Sequence, residues 1–207
     1  MKKIFLASLI SLFLGGLIGW FLSGFGKDIS SFVFREKYPD APLGLKWGMT
    51  AAELESKAGA VLCPERFDEN VPIYSLKSPP IPLPGITEYL VFVHNDYGAM
   101  KILMIEEFKS DEDGTKGKEE YFKYKKALSN KYGKPTDSIE SVEKDNDEFY
   151  QCLDSVECGY YVTFFGDHLS IQLDGISRGR GNLNIVYESE LFIKHDEDRE
   201  NKIQNGL

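Results

Sequence analysis

The stretch EYLVFVHNDYGAMKILMIEEF, residues 88–108, decides how the chain is read. Asn95-Asp96-Tyr97-Gly98 has the composition of a tight turn, and the runs on either side are rich in β-branched and aromatic residues. The expectation is an antiparallel hairpin. Side chains alternate along a strand, so Tyr89, Val91 and Val93 point one way while Leu90, Phe92 and His94 point the other. Both faces are largely apolar, which places the pair at the centre of its sheet or under cover on both sides.

Working outward, WGMTAAELESKAG at 47–59 opens a helix. Thr50 followed by Glu53 is a capping box, Met49 and Leu54 stand at the hydrophobic-staple positions, and Gly59 suits a left-handed stop. SLKSPPIPLPG at 75–85 has four prolines in eleven residues and reads as a stiff extended loop. In DEDGTKGKEEYFKYKKALSNKYGKP at 111–135, Tyr121, Tyr124, Leu128 and Tyr132 form one helical stripe, stopped by Gly133 and Pro135. Three more strands follow in GYYVTFFGD, HLSIQLDG and NLNIVYESE, and in the second Leu169, Ile171 and Leu173 alternate with Ser170, Gln172 and Asp174. One of its faces is buried and the other wet.

The fold class is therefore α+β, with antiparallel sheets each packed by a helix. The order repeats: a helix ending in KAG or KYG, a polar connector, then adjacent strands, which suggests two tandem α+β units at 47–114 and 115–192. Residues 27–46 mix charge and proline and read as a linker, and residues 193–207 as a disordered acidic tail.

The leader, MKKIFLASLISLFLGGLIGWFLSGFG, has an apolar run from Ile4 to Phe25 behind Lys2 and Lys3. That run matches the roughly 20 residues a helix needs to span a bilayer and exceeds the roughly 7 to 15 of a cleaved signal. A retained inner-membrane anchor is expected, with the C-terminal domain in the periplasm; the alternative is cleavage and a soluble periplasmic product. Lipid attachment at this end is excluded, because the first cysteine is Cys63. Beyond Gly26 lie all 33 acidic residues and 22 of the 24 basic ones, a formal charge of 22 minus 33, or −11. That charge argues against nucleic acid and anionic lipid as partners; it would attract a protein with a basic surface or a cationic ligand, and solubility alone also accounts for it.

In an oxidising compartment Cys152 and Cys158 of CLDSVEC can close a small disulfide loop, with Cys63–Cys152 and Cys63–Cys158 as the other pairings. A zinc site from the three cysteines and His168 lacks CxxC spacing, and no metal or cofactor is expected. For chemistry, His94, His168 and His195 are the available bases, but no GxSxG, HExxH or Walker motif supplies a nucleophile or phosphate cradle. No catalytic residue is assigned. The glycine-rich loop carrying Arg178 and Arg180 is the first choice for a contact surface, since two guanidinium groups can hold a carboxylate or phosphate in bidentate fashion. Asp96 and Tyr97 at the tip of the first hairpin are the other candidate partner contacts.

WGMTAAELESKAG, KYGKP and the later amphipathic strands resemble a broad group of small exported bacterial domains of helix-then-sheet build. Among them are β-lactamase inhibitor protein, with two tandem units, and the small lipoprotein subunit of the outer-membrane β-barrel assembly machine. The chain differs from the latter in lacking the lipid-bearing cysteine. The resemblance implies a non-catalytic protein binder whose sheet face holds its partner. The functional expectation is a membrane-anchored periplasmic binding domain, most sharply an immunity or inhibitor protein neutralising a toxin or enzyme. The alternatives are an envelope-assembly or maintenance accessory and an envelope-acting hydrolase.

Overall fold

The computed structural model describes residues 38–68, 71–141, 149–153 and 158–206, leaving out the side chains of residues 66–68. The expected membrane anchor at residues 4–25 lies outside the described residues. Tyr38–Leu207 forms one compact unit. Its elements in chain order are α1 (Ala51–Ala58), β1 (Ala60–Asp68), β2 (Val71–Leu76), β3 (Glu88–His94), β4 (Gly98–Lys109), α2 (Thr115–Tyr132), β5 (Asp137–Ser141), α3 (Phe149–Leu153), β6 (Gly159–Phe164), β7 (Leu169–Ser177), β8 (Arg180–Glu188) and α4 (Glu190–Gly206).

The hairpin expected at 88–108 is β3 and β4, with His94 opposite Gly98 and a register shift between Phe92 and Val93. Its position is central, because β4 also pairs with β8 from Lys101↔Glu188 to Lys109↔Arg180. That pairing joins all eight strands into one antiparallel sheet in the order β1-β2-β3-β4-β8-β7-β6-β5. The separate sheets expected from the sequence are thus a single sheet. Each half opens with a helix and supplies four strands, α3 falling between the first two strands of the second half, and the last strand of each half meets the other at the centre.

One face of the sheet carries the main core. Tyr89, Val91, Ile102, Met104, Ile171, Leu173, Leu183 and Ile185 pack there against Leu54 of α1, Tyr121 and Leu128 of α2, and Phe149 and Tyr150 of α3. The capping box forms as expected: Glu53 N–H donates to Thr50 Oγ1 at 3.3 Å, and Thr50 N–H donates to Glu53 Oε2 at 2.8 Å. Gly59 closes α1 in the left-handed conformation at φ 61°.

Two expectations are corrected. Residues 38–46 are part of the compact unit and not a linker: Leu43 and Leu45 are buried in the main core, and Trp47 Nε1 donates to Pro39 O at 2.9 Å. Residues 193–206 lie within helix α4 and not in a disordered tail. The helix is held because Leu191 and Phe192 in its first turn pack on a second apolar cluster of Val71, Ile73, Leu90, Phe92 and Met100. That cluster lies on the face of the sheet opposite the main core.

Candidate functional site

The alternation of the strands divides the second face into two regions. Over β2, β3 and the start of β4 it is apolar, and α4 packs there. From Leu103 and Ile105 onward, across β8, β7, β6 and β5, no helix among the described residues joins a hydrophobic cluster on this face. Register brings Leu103 opposite Val186, Ile105 opposite Asn184, and Asn184 opposite Gln172. Gln172 in turn faces Tyr161, and Tyr161 faces Ile139. Gln172 and Ile139 are exposed, the latter at 52%, and the other side chains of this row are half-buried. The open region is therefore a mixed surface, with apolar patches separated by amide groups.

Its polar centre is Asp174. Gln172 Nε2 donates to Asp174 Oδ1 at 2.6 Å, and Asn184 Nδ2 donates to Asp174 Oδ2. The carboxylate fixes both amides, which leaves their remaining polar atoms in a set orientation on the surface. In the sequence the wet face of β7 was legible as Ser170, Gln172 and Asp174. The contribution of Asn184 and Val186 was not, because nothing local to β8 reveals which strand lies beside it.

At one end of this face Arg180 meets Glu107 at 3.1 Å, and Lys109 meets the same carboxylate at 2.8 Å. These hydrogen bonds, Lys109's first and Arg180's second, hold the Glu107 carboxyl below the usual range. Arg178 is 3.6 Å from Glu112. Both arginines of the loop singled out from the sequence thus have glutamate neighbours from the β4 end, and both pairs are solvent-accessible. Exposed pairs of this kind contribute only about 0 to 1 kcal/mol and exchange partners readily. The loop remains available to an anionic group that offers better geometry.

Asp96 and Tyr97 lie at the opposite end of β4, about 35 Å away along a twelve-residue strand. The structure does not bring the two candidate pairs together. Asp96 is exposed, and its backbone N–H donates to His94 Nδ1 at 3.1 Å. Tyr97 is turned toward α4, where its hydroxyl donates to Asp198; that bond and partial burial hold the phenol above its usual range. The His94 and His195 rings lie beside it with centroids 4.9 Å apart, and His195 Nδ1 is 3.2 Å from Asp196 Oδ1. His168 sits apart from them, with Nδ1 3.8 Å from Glu188 Oε2 and its ring 4.7 Å from that of Tyr38. Cys152 and Cys158 are disulfide-bonded with Cα atoms 5.4 Å apart, and Cys63 is free. Among the described residues no group of three or more His, Cys, Asp or Glu side chains is placed to hold a metal ion, and no helix is long and apolar enough to cross a membrane.

On the helix side, the Glu106 carboxyl is held above its usual range. Its carboxylate lies against Gly85 of the proline-rich loop, and Oε2 is buried without a hydrogen-bond partner. Burial raises the pKa, Glu120 raises it further, and Lys123 opposes both. A carboxyl raised in the folded state disfavours folding once it ionises. Its cost is absent below the ordinary glutamate pKa and grows as pH rises through the elevated value. Glu106→Gln is therefore expected to raise Tm at pH 7 and to leave it unchanged near pH 4, as read by thermal unfolding at both values.

No protein-family model matches the chain, and comparison with curated proteins and with solved structures likewise returns no match.

Proposed function

We infer that the chain is a membrane-anchored, exported domain that binds another protein through the open region of its sheet. In its sharpest form it is an immunity or inhibitor protein that neutralises a toxin or enzyme in the periplasm. The observation that carries this reading is the mixed surface of β4, β8, β7 and β6. There Leu103, Ile105, Val186 and Tyr161 alternate with amides held in place by Asp174. Apolar patches interleaved with oriented hydrogen-bonding groups are what protein interfaces present, and a strand-built surface offers them with little entropy left to lose.

Other features are consistent with the same reading. The apolar leader supplies an anchor at the membrane to be protected, and the Cys152–Cys158 disulfide suits an oxidising compartment. The −11 charge beyond Gly26 favours encounter with a basic partner. Arg178, Arg180 and Asp96 would lie at the rim of the contact, where charges set encounter rate and orientation more than affinity.

The test is a challenge experiment in cells lacking this chain. Under attack by toxin-delivering neighbours the wild-type chain should restore survival. Gln172→Arg, an exposed change in the middle of the open region, should not restore it although the protein accumulates normally. Equal survival with and without the wild-type chain, together with its recovery in a stable envelope complex, would replace the immunity reading with an assembly or maintenance role.

A further inference from the structure

Helix α4 is joined to the fold in an unusual way for a terminal helix of 17 residues: none of its side chains is buried. Its first three turns are half-buried on their inner side, whereas residues 200–206 are exposed. Helix stability in proteins comes mainly from an apolar face packed against the core, and α4 supplies only Leu191 and Phe192 to that packing. A cavity of about 90 Å³ remains between the helix and the sheet, lined by Phe92 and Met100 below and by Phe192, His195 and Arg199 above. Its other contacts come from rings and charges, among them the Tyr97–Asp198 hydrogen bond, the contact of the His94 and His195 rings, Lys194 Nζ 5.5 Å from the Tyr97 ring centroid and Lys101 Nζ 4.7 Å from that of Phe192.

The chain just before α4 is held quite differently. Ser189 is buried, its N–H and hydroxyl both donate to Met100 O, at 3.0 and 2.8 Å, and its neighbour Glu188 pairs with Lys101. Fixed backbone gives way to a lightly held helix within a single residue, which is the arrangement of a hinge.

Beneath the helix lies the apolar part of the second face, continuous through Leu103 and Ile105 with the open region. We propose that α4 is a strap, hinged after Ser189, that lifts off this face and lengthens the surface presented to a partner. Phe92 and Met100, both buried under the strap, would become part of that surface. Lifting the helix requires no break in the sheet, because the eight strands are paired independently of it. What the strap regulates rests on the protein-binding reading above, but the opening itself is tested without any partner.

The experiment is native-state hydrogen exchange on the full-length protein. The α4 amides are expected to exchange about 100-fold or more faster than those of β4 and β8, because they open locally while the sheet opens only on global unfolding. Trypsin should cut at Lys194, Arg199 and Lys202 before it cuts at Lys101 in β4. Phe192→Ala should accelerate exchange in α4 and leave β4 and β8 unchanged. Should that variant fold poorly, Tyr97→Phe, which removes only the bond to Asp198, should do the same to a smaller extent. Exchange of α4 at the rates of β4 and β8, with resistance to trypsin at all three sites, would overturn the proposal and make α4 a fixed part of the fold.

Discussion

Gly98→Ala should lower the unfolding free energy by about 3 kcal/mol or more in chemical denaturation. Gly98 begins β4 at φ 67°, and a Cβ placed there would lie 2.3 Å from Gly48 O and 2.5 Å from Gly48 C. The obstacle is backbone, so no rotamer change relieves it. Nor can that backbone retreat: Gly48 N–H donates to Ala99 O and Ala99 N–H donates to Met49 O, each at 2.8 Å. The WGMT segment is stitched to the start of β4 by this reciprocal pair, and α1 follows it directly. Gly166→Ala separates the clash from the conformational strain. Gly166 has nearly the same φ, 69°, but nothing lies within 4 Å of its would-be Cβ. It should cost only the left-handed strain of about 1 to 2 kcal/mol. Equal losses at the two glycines would mean that the Gly48–Gly98 contact is looser than described.

Asp111→Ala is expected to cost about 3 kcal/mol, because it leaves several buried donors without an acceptor. The Asp111 side chain is almost fully buried, at 4% exposure. Its Oδ1 accepts from Lys116 N–H at 3.1 Å, and its Oδ2 accepts from Gly117 N–H at 3.0 Å and from Tyr150 Oη at 2.8 Å. It thereby satisfies first-turn amides of α2, whose N-cap, Gly114, has no side chain to do so. It also ties α3 to the same point. The Tyr150 phenol is pushed well above its ordinary range by burial first and by Asp111 second, so it remains a donor throughout the working pH range. Its ring fits because positions 117 and 181 are glycine: a Cβ at Gly181 would lie 2.1 Å from the ring. Tyr150→Phe should cost about 1 kcal/mol. The double variant should lose clearly less than the sum of the singles, since the hydroxyl and carboxylate share one bond. Additive losses would show that the two side chains act separately.

The parts of the fold that could be read from the sequence are those whose signals are local. In residues 88–108 two runs rich in β-branched and aromatic residues flank a turn composition, and apolar residues on both faces already indicate a central pair. Likewise Thr50, Glu53 and Gly59 mark both ends of α1 within ten residues. The signals fail where distant contacts decide. Pro64 and Pro72 obscure β1 and β2, and β5, DSIES, is exposed at every position, so it is held as a strand by its ladder to β6 and by the bonds of Glu140 to Tyr121 and Lys125 of α2. Leu43 and Leu45 enter the core from a proline-containing stretch with no period. Helix α4 lacks an aliphatic stripe, and its inner contacts are a mixture of rings and charges.

The same division holds for the site. The arginine loop was visible in the sequence, but its pairing with Glu107 and Glu112 joins residues about seventy positions apart. The open region exists only because β8 lies between β4 and β7, a matter of topology that no segment of the chain announces. Fold class is thus read locally, whereas the open region of the sheet is a product of long-range register.

The central claim is that the open sheet region is where a partner binds, and site-specific photo-crosslinking in the living cell tests it most directly. A photoreactive residue is placed in turn at Gln172 and Ile139 on the open region and at Lys126 on the outer side of α2, in the full-length chain. The account predicts a discrete adduct with one protein at Gln172 and Ile139 and none at Lys126. Adducts at Lys126 alone, with Gln172 and Ile139 silent, would contradict it.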